Sequence, residues 1–359
     1  PTHIYNIVFF KMQWVRGKLL KPRDNLFFLG HLQQKHTRYT IRAAKGANSV
    51  VKKNWNSRWK TLRHDVIFYR YLYLMLIPVF LWYALFYYAP LFGLRMAFQD
   101  YRYSLGFDKS PFVGLKNFET LFSDSYFVQA FGNTFVIALL RIVFVFPSAV
   151  LLALLFNEVK SRGMRTVVQT VTYLPHFFSW VSMAGLLRMI LAEDSGLLNL
   201  LLQAIGLEQQ RFLTDDRFFR TILIVSDIYK DVGWNSIIYV AALSSISPSL
   251  YESAMLDGAN RRQQMWHVTL PGLAPTIAIM AIIYVGGVFN QGFDQVYNLY
   301  NPMVYTSGDI IDTYIVRMLK TNFNMSVSAA SSFIKSAICM LFLIVSNVVV
   351  KRLGQESIY

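Results

Sequence analysis

Charge is what this 359-residue chain lacks most. Asp, Glu, Lys and Arg make up only 15% of it, where soluble domains carry about 25%. Hydrophobic residues reach 54% and aromatics 16%, so the deficit places the chain among membrane proteins. Cysteine is nearly absent too. Cys339 stands alone in an apolar run, which excludes a disulfide framework and leaves the redox compartment unread. The six histidines show no metal-ligand spacing, so no metal site is expected. No G-x-x-x-x-G-K-[S/T] occurs, so ATP is not held here through a P-loop. The first strong apolar run begins near Tyr71 and is too long for the core of a cleavable signal.

Acidic residues are scarcest at the start. Residues 1–70 hold fifteen Lys or Arg against Asp24 and Asp65, a surplus of +13 out of a net +15. No nucleic-acid recognition motif accompanies this surplus, and no nucleic-acid partner is expected. A basic flank beside a first span follows the positive-inside rule and meets anionic lipid headgroups.

Long apolar runs are what the chain has instead. A helix needs about 20 apolar residues to cross the hydrocarbon core. Six stretches meet that length: 71–94, 131–156, 167–191, 219–246, 273–293 and 329–350. They predict an all-α membrane protein with six transmembrane helices. The fourth is the weakest, because Asp227, Lys230 and Asp231 interrupt it. Pro78, Pro147 and Pro175 fall inside spans, where a packed bundle tolerates kinks. The loop after the second span carries Lys160, Arg162 and Arg165 against Glu158. The loop after the third carries Glu193, Asp194, Glu208, Asp215 and Asp216 against Arg211 and Arg217. With Lys351 and Arg352 at the far end, both termini come out cytoplasmic. The chain then divides into a basic arm (1–66), a six-helix domain (67–353) and a short cytoplasmic tail (354–359). Outside loops 95–130 and 294–328 are rich in aromatics. They suit either a surface that meets another protein or interfacial aromatic belts.

That topology puts "SPSLYESAMLDGANRRQQMWHVTLPG" (247–272) in the cytoplasm between spans four and five. Ser247-Pro248 starts a helix, with Ser at the cap and Pro where its missing N–H costs nothing. Ser249 and Glu252 offer an alternative capping-box spacing. Leu250, Tyr251, Ala254 and Met255 share one face. Gly258 permits a left-handed turn that ends the helix. A second short helix, roughly 261–268, carries Met265 and Trp266 before Leu270-Pro271 stops it. Two short helices joined at a glycine form a knob tied to two spans. A solvated connector has no need of exposed Tyr251, Met265 and Trp266, so a protein partner is expected. Moving such a knob moves the spans beside it.

The segment resembles the EAA loop in permease subunits of binding-protein-dependent ABC importers. Glu252, Ala254 and Gly258 match E-A-A-x-x-x-G, and Val268-x-Leu270-Pro271 matches the closing I-x-L-P. Ser253 and Val268 depart from the pattern by small swaps. Asp257-Gly258-Ala259 is similar to the carbohydrate branch. "YLPHFFSW" (173–180), 227–246 and 293–317 resemble the subgroup that imports oligosaccharides or polysaccharide fragments. The resemblance spans about residues 65–353. It implies the type I ABC importer permease fold and an ATPase-coupling loop at 247–271. It also implies a second, non-identical permease, two ABC ATPase subunits that bind ATP and Mg, and an extracytoplasmic solute-binding protein. The host compartment would be a bacterial cytoplasmic membrane. This chain would hold no cofactor and supply no catalytic residue.

Charges at membrane depth cost about 2.5–3.5 kcal/mol on insertion scales and so face a bundle interior or a cavity. Asp227, Lys230 and Asp231 lie on one helical face, where Lys230 can pair with either carboxylate. With Trp234, Asn235 and Tyr239 they form either a polar wall of the sugar path or a neutralised pair that pins span four. Arg141, His176, Ser179, Asn290, Gln291 and Asp294 are further candidates for the path. Arg141, Arg188 and Lys230 favour an acidic sugar, while Asp227, Asp231 and Asp294 oppose one. A membrane-embedded transferase using Asp227 or Asp231 with His176 is the rival reading, but no convergent acid/base cluster in a surface loop supports it. A self-sufficient transporter should show an internal repeat, and none is visible.

Overall fold

A computed structural model describes residues 68–352. The basic arm 1–66 and the tail 354–359 lie outside the described residues. Among those described, structure is helical, with one isolated bridge pairing Gln99 and Phe112. The chain divides into two units, residues 1–86 and 87–359.

The first unit presents α1 (Arg70–Tyr83), which contains Pro78 and has no buried residue. Helical backbone runs on through a π turn at Ala84–Tyr88 and a 3-10 stretch at Ala89–Phe98, giving a 29-residue apolar stretch. α1 itself, apolar all round and with no buried residue, suits a lipid surrounding.

In the second unit, Asp124 caps α2 (Ser125–Leu140) by accepting from the Tyr126 N–H at 2.9 Å. A π turn at Arg141–Val145 joins it to α3 (Phe146–Glu158). The stretch expected as one third span is broken. α4 (Arg162–Tyr173) and α5 (Trp180–Leu191) are bent by 103° around a 3-10 turn at Leu174–Phe177. Pro175 has no N–H to continue α4, and Ser179, in extended backbone, caps α5 through the Ser182 N–H. α6 (Asp216–Ser244) is 29 residues long.

The knob follows as α7 (Pro248–Leu256) and α8 (Arg261–Gln264). Pro271 was expected to end the second short helix, and it does not. α8 passes through a π turn at Met265–Thr269 directly into α9 (Leu270–Gly287). Pro271 falls in the first turn of α9, where its missing N–H is no loss. A break at Val288–Gly292 precedes α10 (Phe293–Leu299), and α11 (Ile311–Arg317) and α12 (Met325–Arg352) complete the unit.

Among the described residues, four helical stretches are long and apolar enough to cross a membrane, and the α4–α5 pair makes a fifth when taken as one bent span. α6 has the length but not the apolarity, because Asp227, Lys230 and Asp231 sit at its middle. Small residues let α6 approach its neighbours. Ala149 and Ala153 of α3 pack beside Tyr239, Leu243 and Leu273 in one buried cluster. Gly233 lies so close to the Thr172 carbonyl of α4 that a Cβ there would collide with it.

Candidate functional site

A polar cavity of about 400 Å³ opens where α6 meets the π turn after α2, the break before α5 and the break before α10. Seven of the expected path residues line it: Arg141, His176, Asp227, Asp231, Trp234, Asn235 and Gln291. Trp180, Tyr284 and Gly292 complete most of the wall.

Two linked sets of contacts build this wall. Arg141, 3% exposed, starts the π turn, a helix irregularity that recurs at functional sites. Its Nε lies 2.9 Å from Asp227 Oδ2, an ion pair without hydrogen-bond alignment. Its Nη1 donates to the Gln291 carbonyl at 2.7 Å and its Nη2 to Gln295 Oε1 at 2.5 Å. Gln295, fully buried, donates in turn to the Leu223 carbonyl and to Ser226 Oγ. One guanidinium therefore ties α2, α6 and the start of α10 together. The second set holds the bend between α4 and α5. His176 Nδ1 lies 2.7 Å from Asp231 Oδ1, and its ring stacks on Trp234 at 4.5 Å and 4°. Lys230 donates to the His176 carbonyl at 2.8 Å, sits 3.4 Å from Asp231, and lies over the Trp180 ring. That carbonyl is one the interrupted helix leaves open.

Lys230 therefore pairs with Asp231 alone, and Arg141 takes Asp227. The two cations and two carboxylates neutralise each other, which makes burial affordable. Four expected path residues lie elsewhere, and one of them, Ser179, is spent as the cap of α5. Tyr239 is 2% exposed and packs into the apolar cluster against α3. Asn290 is exposed beside Cys339, and Asp294 is exposed at the start of α10. Lys230 touches the wall only from behind. Gln295 and Gly292 were not anticipated, because a neutral amide and a glycine in a mixed loop carry no chemical signal of their own. Gly292 adopts φ +90°, and a Cβ there would strike the Arg141 guanidinium. Gly292→Ala is therefore expected to destabilise by about 1–3 kcal/mol, read as a lower melting temperature in detergent.

The knob matches its expected outline. Ser247 stands at the cap of α7 with Pro248 at the first helical position. The alternative Ser249–Glu252 box does not form; Ser249 Oγ pairs with Ser247 Oγ instead. The end of α7 is a Schellman motif: Ala259 N–H donates to the Ala254 carbonyl and Gly258 N–H to Met255. Gly258 supplies the φ of +79° that this turn requires. Asn260 and Gln263 then form a reciprocal capping box that starts α8. Ala254, Asp257, Gly258, Ala259, Gln263, His267 and Val268 surround a surface hollow of about 230 Å³.

Exposure on the knob differs from expectation at two residues. Tyr251 is half-buried, its hydroxyl 3.1 Å from Thr269 Oγ1, and Met265 is also half-buried. The Tyr251 contact ties α7 to the π turn that follows α8. The outward apolar groups are Leu250, Met255, Leu256 at 89% and Trp266 at 67%. Glu252 and Asp257 are exposed beside them. Arg261 reaches Glu158, the last residue of α3, at 3.5 Å.

A helical membrane unit with a neutralised polar cavity and a rigid, apolar-tipped knob is the frame of a transport subunit. Residues 145–355 match the model of the binding-protein-dependent transport system inner membrane component family, and the chain belongs to that family. It is 39% identical to the polygalacturonan/rhamnogalacturonan transport system permease protein YteP of Bacillus subtilis (strain 168), over 84% of this chain and 94% of that one. Protein LplB of the same organism is 37% identical over 81% and 91%. The crystal structure of a bacterial ABC transporter involved in the import of the acidic polysaccharide alginate superposes with a TM-score of 0.77 at 39% identity. The match covers 81% of this chain and 99% of that one. The matched family, YteP and the alginate transporter are transport proteins by description, and the membrane-transferase reading falls with them.

Proposed function

We propose that this chain is one of two non-identical permeases of an ATP-driven importer that moves oligosaccharides or polysaccharide fragments into a bacterial cytoplasm. α6 crosses the membrane too, as the fourth of six spans, its charges turned into the cavity, and both termini are cytoplasmic. The cavity forms part of the sugar path. Two ABC ATPase subunits hold the ATP and Mg, one of them receives the knob, and a solute-binding protein delivers the cargo from outside. A related importer has been crystallised with its periplasmic protein carrying an alginate pentasaccharide, which supports the delivery step.

One observation carries this reading. α6 runs unbroken from the cavity residues Asp227–Asn235 to Ser244, and the knob begins at Pro248. Closure of an ATPase dimer that moved the knob would therefore move one wall of the cavity as a rigid rod. Helix tilt of this kind is a standard route for domain rearrangement.

The test is uptake of labelled oligosaccharide into proteoliposomes holding all partner subunits. ATP-dependent accumulation that requires the binding protein is expected. Trp234→Ala should raise the KM for sugar roughly fivefold by removing a stacking face, with ATPase binding unchanged. Uptake without ATP would contradict the reading.

A further inference from the structure

The outer segment after the cavity carries a feature that the importer reading does not use. Beginning one residue past the cavity-lining Gly292, four rings stand in series. Phe293 stacks on Tyr297 at 5.2 Å and 27°, Tyr297 lies 6.0 Å from Tyr300, and Tyr300 stacks on Tyr305 at 5.3 Å and 29°. Each is half-buried, so each keeps a surface open. Two cations end on α10, which carries the first two rings. Lys320 donates to the Tyr297 hydroxyl at 2.6 Å, and Arg188 donates to the Asn298 carbonyl. Both are exposed, and neither has a carboxylate partner among the described residues.

Other charges nearby are spent. Arg317 is held by Asp309 at 2.5 Å and covers the Tyr305 ring. At the far end Asp216 and Arg220 both engage Ser307, one through its hydroxyl and one through its carbonyl. Within α10 the one acidic residue is Asp294, exposed at its start. The row therefore carries a surplus of positive charge, and each free cation keeps donors unspent: two N–H on Lys320 and four on Arg188.

Sugar rings present apolar C–H faces to aromatics and hydroxyls to polar edges. Carboxylates on such rings pair with ammonium and guanidinium groups. We infer that the row Phe293–Tyr297–Tyr300–Tyr305, flanked by Lys320 and Arg188, is an entry subsite for oligosaccharides of uronic acids, leading them toward the neutral cavity. The inference rests on the importer reading and adds the acidity of the cargo and the place where that acidity is read. The cavity cannot read it, because Arg141 and Lys230 are already committed. The row can.

The test uses the assembled importer in nanodiscs and two probes, tri-galacturonate and its uncharged methyl ester. Titration calorimetry should show tighter binding of the acid, weakening as salt rises. Lys320→Gln with Arg188→Gln should cost the acid about tenfold in affinity and leave the ester unchanged. Tyr297→Leu should weaken both. In uptake the double variant should raise KM for the acid with kcat kept. Equal binding of the two probes to wild type, or an equal effect of the double variant on both, overturns the inference. Failure of the importer reading would appear separately, as no ATP-dependent uptake of any oligosaccharide, while the titration would still decide the subsite.

Discussion

Arg141→Met is expected to be the most damaging single substitution for stability. It leaves the Asp227 carboxylate buried without its cation, a loss of about 3–5 kcal/mol. It also strips donors from the Gln291 carbonyl and from Gln295 Oε1. Methionine matches the length of the arginine stem, so cavity formation adds little. The prediction separates charge from packing through a second variant. Arg141→Met combined with Asp227→Leu removes both ions and should recover most of the lost stability, since an apolar replacement for a buried pair is often neutral or better. Thermal unfolding of the detergent-solubilised chain, followed by near-UV circular dichroism, measures both. A single variant as stable as wild type would show that Arg141 does not hold α2, α6 and α10 together.

Gly258→Asp is expected to have the largest effect on transport with little effect on the fold. Nothing lies within 4 Å of the position a Cβ would take at Gly258. The chain alone can accommodate a side chain there, at a cost of about 1–2 kcal/mol for the left-handed backbone. Asp tolerates that backbone better than most residues. Any severe loss must then come from a surface that closes over the hollow formed by Ala254, Gly258 and His267. The variant should melt within a few degrees of wild type yet lose ATP-driven uptake by tenfold or more. Leu256→Ser, at the most exposed apolar tip, should weaken retention of the ATPase subunit on purification. Loss of uptake with full retention of the ATPase would place the defect in transmission rather than docking.

The knob was legible in the sequence because its determinants are local. Ser-Pro starts α7 and a glycine ends it. Each acts within one helical turn. The chemical types in the cavity were legible as well, because charges inside apolar runs stand out. Their pairing was not. His176 and Asp231 are 55 positions apart and Arg141 and Gln295 are 154 apart, and no local rule joins them. The expectation that Lys230 pairs within its own helix met a competitor, the open His176 carbonyl at the bend. That bend was itself underestimated, because Pro175 alone predicts a kink, while Pro175 with a capping Ser179 produces a turn of 103°. Pro271 failed in the opposite direction, since a proline in the first turn of a helix continues what it was expected to stop.

The central claim is that the knob at 247–271 is the contact through which an ATPase subunit moves this chain. Leu256→Cys in a Cys339→Ser background places one thiol at the exposed tip, with no other cysteine in the chain. The measurement is cross-linking of that thiol to the ATPase in the assembled importer, with and without ATP. A cross-link that forms at Leu256 and changes in yield when ATP is added is the predicted result. A chain that assembles and transports while Leu256→Cys never cross-links to the ATPase would contradict the claim.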